Sequence, residues 1–368
     1  MPNITAFGFA ELKDLFSQRI ITVSAETIQT AVIQSFIEHN RQIEALLSSL
    51  VKRTTAFKYR YQLPAGGSLQ PLDEKGNPVP VQPSGFYDVG LPLQGAGTAW
   101  GTDRVSRAMM TVGDANRFTV DAMDRDADWM RRHILNAIFN NVAFTYADDR
   151  YGNLTVQPLA NNDGTGYVLR GGTLDTAQNH FFAQAAAISD ANNPFPILYG
   201  ALDEHPSNSG PYRAYIPTGL VSTVQAMTST SLPSLTPLVY GSGITRAADS
   251  INPDDKTYGA LVDPGNFGDR FIGYNSGMEI WEWTSLPANY IYAQAMGVND
   301  VVAMREYEAA ELQGLFPEFW DVDGNLIVNR LVRYCGFGIN NRVGAAVYRI
   351  GNASYAIPSG YTTGLMPA

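Results

Sequence analysis

The chain has 368 residues, 45% of them apolar and only 16% charged, and a formal net charge of −10. That length builds one large domain or two linked ones, each with its own core. The acidic balance argues against a general nucleic-acid binder, which presents an excess of Lys and Arg to phosphate. A single cysteine, Cys335, excludes an intramolecular disulfide framework and any cysteine-based metal cluster. No apolar run reaches the ~18–20 residues that span a bilayer, and Met1-Pro2-Asn3-Ile4-Thr5 lacks the basic start of a signal peptide. A soluble chain made in a reducing compartment, with no membrane partner, is expected. Five lysines stand against twenty arginines. The bias fits a surface rich in protein contacts, where Arg pairs carboxylates through a planar fork, and genome composition would give the same skew.

Residues 1–55 read as a mostly helical arm. Ser24 can cap a helix with Glu26 in its first turn. Ile28, Val32 and Phe36, then Ile43, Leu46, Leu47 and Leu50, follow helical spacing, with Ile33 and Ile37 beside them. This stripe needs cover, from its own domain or from a neighbouring copy. From residue 56 the pattern changes. Phe57, Tyr59, Tyr61 and Leu63 alternate with Lys58, Arg60 and Gln62, the period of a half-buried strand. Gly66-Gly67 turns the chain, and Pro71, Pro78, Pro80, Pro83 and Pro92 exclude a run of central strands. Residues 102–112 are expected to return beside the first strand, closing a long projecting hairpin that is marginal unless something outside holds it.

The strongest helix is predicted from Thr119, as cap, to about Asp148, roughly 40 Å long at ~1.5 Å per residue. Met123, Ala127, Met130, Ile134, Ile138 and Val142 make its stripe. Asp121, Asp124, Asp126 and Asp128 read as a solvated face compensating the helix dipole rather than a metal or acid–base cluster. A shorter helix is expected over 175–190. Mixed α/β follows, with strands at 195–199, 212–216, 270–274, 278–283 and 290–296 and a helix at 220–227. Further strands are expected at 301–305, 326–333 and 344–350.

Catalytic signatures are missing. His39, His133, His180 and His205 lie far apart in sequence, outside any ligand spacing such as H-E-x-x-H, and read as helix-surface or loop residues. The chain carries neither a G-x-S-x-G elbow nor a phosphate loop. Gly95-Ala96-Gly97 begins like a dinucleotide fingerprint, but Trp100 stands where the third glycine belongs. Asp321 to Asn325 is similar to the start of a calcium loop, with its glycine misplaced and Val332 where a bidentate Glu belongs, so a β-turn is expected. No enzyme activity, cofactor or metal is expected.

Two stretches carry a family likeness. Gly273-Tyr274-Asn275-Ser276-Gly277-Met278-Glu279-Ile280, followed by Ser285-Leu286-Pro287, resembles a glycine turn, strand and Leu-Pro segment. Asn329-Arg330-Leu331-Val332-Arg333-Tyr334-Cys335-Gly336-Phe337-Gly338-Ile339, then Arg342-Val343-Gly344-Ala345-Ala346-Val347, resembles an Arg-rich strand with a G-x-G…A-x-V return. With the order of elements, these resemble the major capsid proteins of tailed bacteriophages, of the type known from the Hong Kong 97 phage.

The resemblance implies an α+β fold with an N-terminal arm (1–55), an extended E-loop (56–118) and a P-domain with a spine helix (119–193). An A-domain (194–300) and P-domain return strands with a C-terminal tail (301–368) would follow. It implies a structural, self-assembling subunit of an icosahedral shell around double-stranded DNA, placed in the virion and assembled in the host cytoplasm. Partners would be the chain itself as hexamers and pentamers, portal and separate scaffolding proteins, an optional decoration protein, and packaged DNA touched weakly and without sequence specificity.

Lys58, Arg60, Lys75, Arg104 and Arg107 are the candidates for intersubunit contacts, and ordinary solvated strand charges are the alternative. Some relatives join a loop lysine to a P-domain asparagine. Lys75 with Asn340 or Asn341 would be the matching pair, without an identified carboxylate. An encapsulin-like nanocompartment shell shares the fold and is the main alternative. A jelly-roll or tail component of a virion and a β-rich glycosidase are the others.

Overall fold

A computed structural model describes residues 5–48, 50–63, 72, 74–77, 85–103, 109–227, 270–297, 301–322 and 326–361. A 3₁₀ segment (Phe7–Leu15) leads to helices α1 (Ile20–Val23) and α2 (Ala25–Leu47). Strands β1 (Val51–Thr54), β2 (Lys58–Gln62), β3 (Phe86–Gly90) and β4 (Gln94–Asp103) precede the long helix α3 (Val112–Phe139). Next come β5 (Phe144–Asp148), β6 (Gly152–Val156), β7 (Tyr167–Val168), β8 (Leu174–Asp175), β9 (Phe181–Gln184) and α4 (Phe195–Asp203). Strand β10 (Tyr212–Ile216), helix α5 (Thr218–Gln225), β11 (Arg270–Asn275), β12 (Met278–Glu282) and β13 (Tyr290–Ala295) follow. The last regular elements among the described residues are β14 (Val302–Glu306), β15 (Leu315–Val322), β16 (Leu326–Ile339) and β17 (Ala345–Ile350).

Two compact units share these elements. The first holds Met1–Leu46, Leu93–His133 and Arg305–Gly336; the second holds Leu47–Pro92, Ile134–Met304 and Phe337–Ala368.

In the first unit β16 lies between β15 and β4, antiparallel to both. Glycine allows the close approach of β4: a Cβ on Gly97 would sit 2.8 Å from the Leu331 carbonyl oxygen, and one on Gly95 would sit 2.8 Å from the Tyr334 ring. The Gly95-Ala96-Gly97 run is therefore a strand feature. Ile28, Val32 and Phe36 of α2 are buried with Phe9, Val112, Ala115, Ala122, Leu315 and Leu331, so the inner face of the arm is covered within its own unit. Ile33 and Ile37 stay exposed on α2.

Helix α3 starts seven residues earlier than the stripe suggests. Thr111 and Asp114 form a reciprocal cap: the Asp114 amide donates to the Thr111 hydroxyl, and the Asp114 carboxylate accepts from the Thr111 amide and hydroxyl. Thr119 is no cap but a helical residue donating to the Ala115 carbonyl. The helix stops at Phe139 because the Asn140 side chain bonds both backbone groups of Val142, an Asx arrangement that competes with helix. The last residues expected to continue it form β5, which pairs with β6 in a hairpin turned by Asp148 accepting from the amides of Arg150 and Tyr151.

The second unit is built on a six-stranded sheet in the order β11-β12-β10-β13-β17-β9, in which β10–β12 and β17–β9 are parallel. Phe195, Leu198 and Leu202 of α4 and Val221 and Val224 of α5 pack in one core with Ala214, Ile216, Ile280, Ile291 and Ala346. Two expectations fail here. Residues 175–190 are not helical: Asp175 and Asn179 fold local turns onto the amides of Ala177 and Phe181, and Phe181 then joins β17. Residues 195–199 open helix α4 instead of a strand, with the Asn193 side chain accepting from the Phe195 amide and Pro196 in the first turn.

The expected hairpin also pairs differently. Strand β2 takes β3 as its partner, and β4, expected to return beside it, pairs with β16.

Candidate functional site

The β2–β3 hairpin has two chemically distinct faces, as strand alternation requires. On one face Arg60 lies in register with Asp88 and grips it through two bonds of 2.7 and 2.9 Å, and Lys58 reaches the same carboxylate at 3.1 Å. The Arg60 hydrogen bond, with help from Lys58, holds the Asp88 carboxyl down at about 2. The Arg60 guanidinium also sits 4.0 Å over the ring of Phe86, an exposed aromatic. Two cations share one carboxylate, so the face keeps a positive balance.

On the other face Tyr61 and Tyr87 lie in register with stacked rings 5.4 Å apart. The Tyr61 hydroxyl donates to Asn340 Oδ1 at 2.6 Å. Tyr87 lies near Arg342, which is wholly buried and donates to Pro158 O at 2.8 Å, Asp163 Oδ2 at 2.6 Å and Asn161 Oδ1 at 3.2 Å. Burial pushes the Asp163 carboxyl up, but the Arg342 bond and charge outweigh it and leave the group below its ordinary range. A cleft of about 420 Å³ opens beside this face, lined by Tyr61, Tyr87, Tyr167, His205, Asn340 and Asn341, among others.

The other sequence-derived candidates fare unequally. Lys75 is exposed in a turn, and Asn340 is buried under Tyr61. Arg104 and Arg107 lie outside the described residues, as do Asp323, Gly324 and Asn325 of the calcium-like run.

The acidic row on α3 is not one solvated face. Asp121 pairs with Arg125, and Asp128 with Arg131 and Arg132, on the exposed side. Asp126 is buried: Arg333 donates to both its oxygens, at 2.6 and 2.8 Å, and His39 Nε2 lies 2.9 Å from Oδ2. The helix begins at Val112, so only Asp114 occupies its first turn.

The histidines depart furthest from expectation. His133, His180 and His205 are wholly or almost wholly buried. Burial holds His133 and His180 down at about 3, with the neighbouring His205 adding to the effect on His180. His180 and His205, 25 residues apart, meet through their Nε2 atoms at 3.3 Å, with the carboxylate of Glu204 beside them. Sequence spacing could not reveal this, because the pair is made by β9 docking on β17 next to the end of α4. Cys335 is buried, and burial pushes its thiol far above the ordinary range.

No protein-family model and no curated protein sequence matches the chain. Solved structures do. A chain from Mycobacterium phage Patience superposes with a TM-score of 0.66 at 16% identity, covering 96% of each chain. The capsid of a native GTA particle matches at 0.48 with 11% identity over 84% of this chain and 90% of that one. The mature capsid of bacteriophage PhiM1 matches at 0.47 with 7% identity over 84% and 87%.

Proposed function

We propose, on the premise of the Hong Kong 97-type phage capsid fold that this chain has, that it is the major capsid protein of a tailed phage. In this reading it is a structural subunit, not an enzyme, and copies of it close as hexamers and pentamers into an icosahedral shell around double-stranded DNA. The observation that carries the reading is the near-complete mutual coverage with the phage Patience chain.

Several surface features support it. Phe7, Ile21, Ile33 and Ile37 in the N-terminal segment and Phe86 on the hairpin expose large apolar side chains, which contact with neighbouring copies would cover. Lys58, Arg60 and Lys75, with Arg104 and Arg107, are the proposed cations for a neighbour's carboxylates. The acidic chain suits a container that must release its genome. Assembly in the host cytoplasm with portal and scaffolding proteins, and an optional decoration protein, belongs to the same proposal. No described helix is long and apolar enough to cross a membrane.

Electron microscopy of particles purified from the native source, before and after nuclease, tests it. Closed shells with nuclease-protected DNA are expected. Shells filled with protein would move the assignment to a nanocompartment, and a small monodisperse monomer would overturn it.

A further inference from the structure

We propose that His180, His205 and Glu204 form a binding site for a transition-metal ion of the zinc class, tying together two stretches of the second unit. His180 sets the chemistry. Its Nδ1 lies 2.7 Å from the Ala345 carbonyl oxygen of β17, which can only accept, so Nδ1 carries the proton and neutral His180 presents a bare lone pair at Nε2. That lone pair points at His205 Nε2, 3.3 Å away. Two nitrogens bound to one tetrahedral zinc at ~2.0–2.1 Å stand about 3.3 Å apart, which is the separation found.

The third donor is in reach. Glu204 Oε1 lies 3.7 Å from His205 Nε2, and the three donor atoms all fall within 4.8 Å of one another. Glu204 is half-exposed at the end of α4, so its side chain can close on an ion without moving the backbone.

The surrounding bonds are those that orient metal ligands. The Ala345 carbonyl orients His180. The Val168 backbone lies close to the His205 ring, and Gln178 lies close to Glu204 while donating to Asp175 Oδ2 at 2.8 Å. The Tyr167 ring stands edge-on to His205 at 6.2 Å. Two imidazoles and one carboxylate select zinc, cobalt or nickel over calcium and magnesium, which prefer all-oxygen shells. His205 lines one side of the 420 Å³ cleft, and half-exposed Glu204 gives an ion a route in from solvent. Two neutral imidazoles and one carboxylate leave a divalent ion with one positive charge, which nearby Asp175 further offsets.

The test uses the full-length protein and Co²⁺ as probe. Titration is expected to give the ligand-field absorption of four-coordinate cobalt, saturating at one ion per chain and displaced by Zn²⁺. Zn²⁺ is also expected to raise the thermal unfolding midpoint. Glu204→Gln, which keeps the shape of a half-exposed side chain, should weaken Co²⁺ binding by at least ~10–100-fold, the range already seen when only an outer partner is lost. His205→Asn should abolish the band, with circular dichroism reporting whether its fold is kept. No cobalt band in the wild-type chain would overturn the proposal in favour of a hydrogen-bonded histidine pair. So would a band that Glu204→Gln leaves unchanged, since the ion would then sit elsewhere.

Discussion

Asp126 of α3 and Arg333 of β16, 207 residues apart in sequence, form a two-pronged ion pair that is almost completely removed from solvent. Asn40 completes it: its carbonyl oxygen accepts from Arg333 and from the Leu315 amide, and its amide donates to the Leu315 carbonyl. One polar knot therefore joins the arm helix, the long helix and two strands of the first unit.

Breaking one side of this knot strands a buried charge. Arg333→Met is expected to destabilise the first unit by about 3–5 kcal/mol, and the double variant Arg333→Met with Asp126→Leu by much less. Urea unfolding of the three proteins measures both. Equal losses in single and double variants would mean that packing, not the stranded charge, sets the cost.

Acid should weaken the fold before its carboxylates titrate. His133 and His180 are held neutral down to about 3 in the native chain, against an ordinary value of 6.5. Their folded values are depressed, so between those limits the unfolded chain binds protons that the native chain refuses. Stability is fully present above about pH 6.5 and falls as the pH drops, by ~1 kcal/mol per unit and per histidine. Urea midpoints at pH 7 and pH 5 read this directly, and a flat profile would place both rings in a more open environment than described.

The hairpin should loosen when its aromatic face loses its anchor. Tyr61→Phe removes the donor to Asn340 Oδ1 and leaves a buried acceptor unpaired, at an expected cost of about 1–3 kcal/mol. Amide hydrogen exchange in β2 and β3 should accelerate while β10 and β13 stay protected. Unchanged exchange in the hairpin would locate its anchor elsewhere, in the contact of Tyr87 with Arg342.

Gly8 is a point of close contact between the Phe7–Leu15 segment and α2. A Cβ there would lie 2.0 Å from the Ala31 carbonyl oxygen, and the Gly8 amide donates to Ser35 Oγ at 3.0 Å. Gly8→Ala should lift the Phe7–Leu15 segment off α2 and expose Phe9, making the N-terminus the first site of limited proteolysis. Wild-type resistance in that variant would show that α2 can shift to make room.

The legible parts of the sequence were those where one physical signal acted alone. Alternation marked β2, and the apolar stripe of α2 matched its buried face at Ile28, Val32 and Phe36. Boundaries were harder where short polar side chains competed for the backbone. Thr111 with Asp114 at the start of α3, and Asn140 at its end, carried readable capping chemistry that the apolar stripe obscured. Residues 175–190 had helical spacing, but Asp175 and Asn179 offered local bonds and β17 offered an edge. The Arg60 charge was readable on its strand, whereas its partner Asp88 stands 28 residues further along the chain. Asp126, His180 and His205 were beyond reach because their partners come from distant segments, and only topology decides which distant segments meet.

Topology also dictates a timetable. The first unit is assembled from three separate stretches, the last beginning at Arg305. Its earliest helix bonds through Asn40 to Leu315, 275 residues later. On a ribosome, the apolar side of α2 must wait for nearly the whole chain before Leu315 and Leu331 complete its native cover, a long-range closure that is slow and prone to misassociation. The second unit draws its six-stranded sheet from residues before and after that last stretch, so it too is completed late. The nascent chain is thus a substrate for whatever shields apolar helices during synthesis, and the finished fold emerges only once β16 and β17 are free to pair.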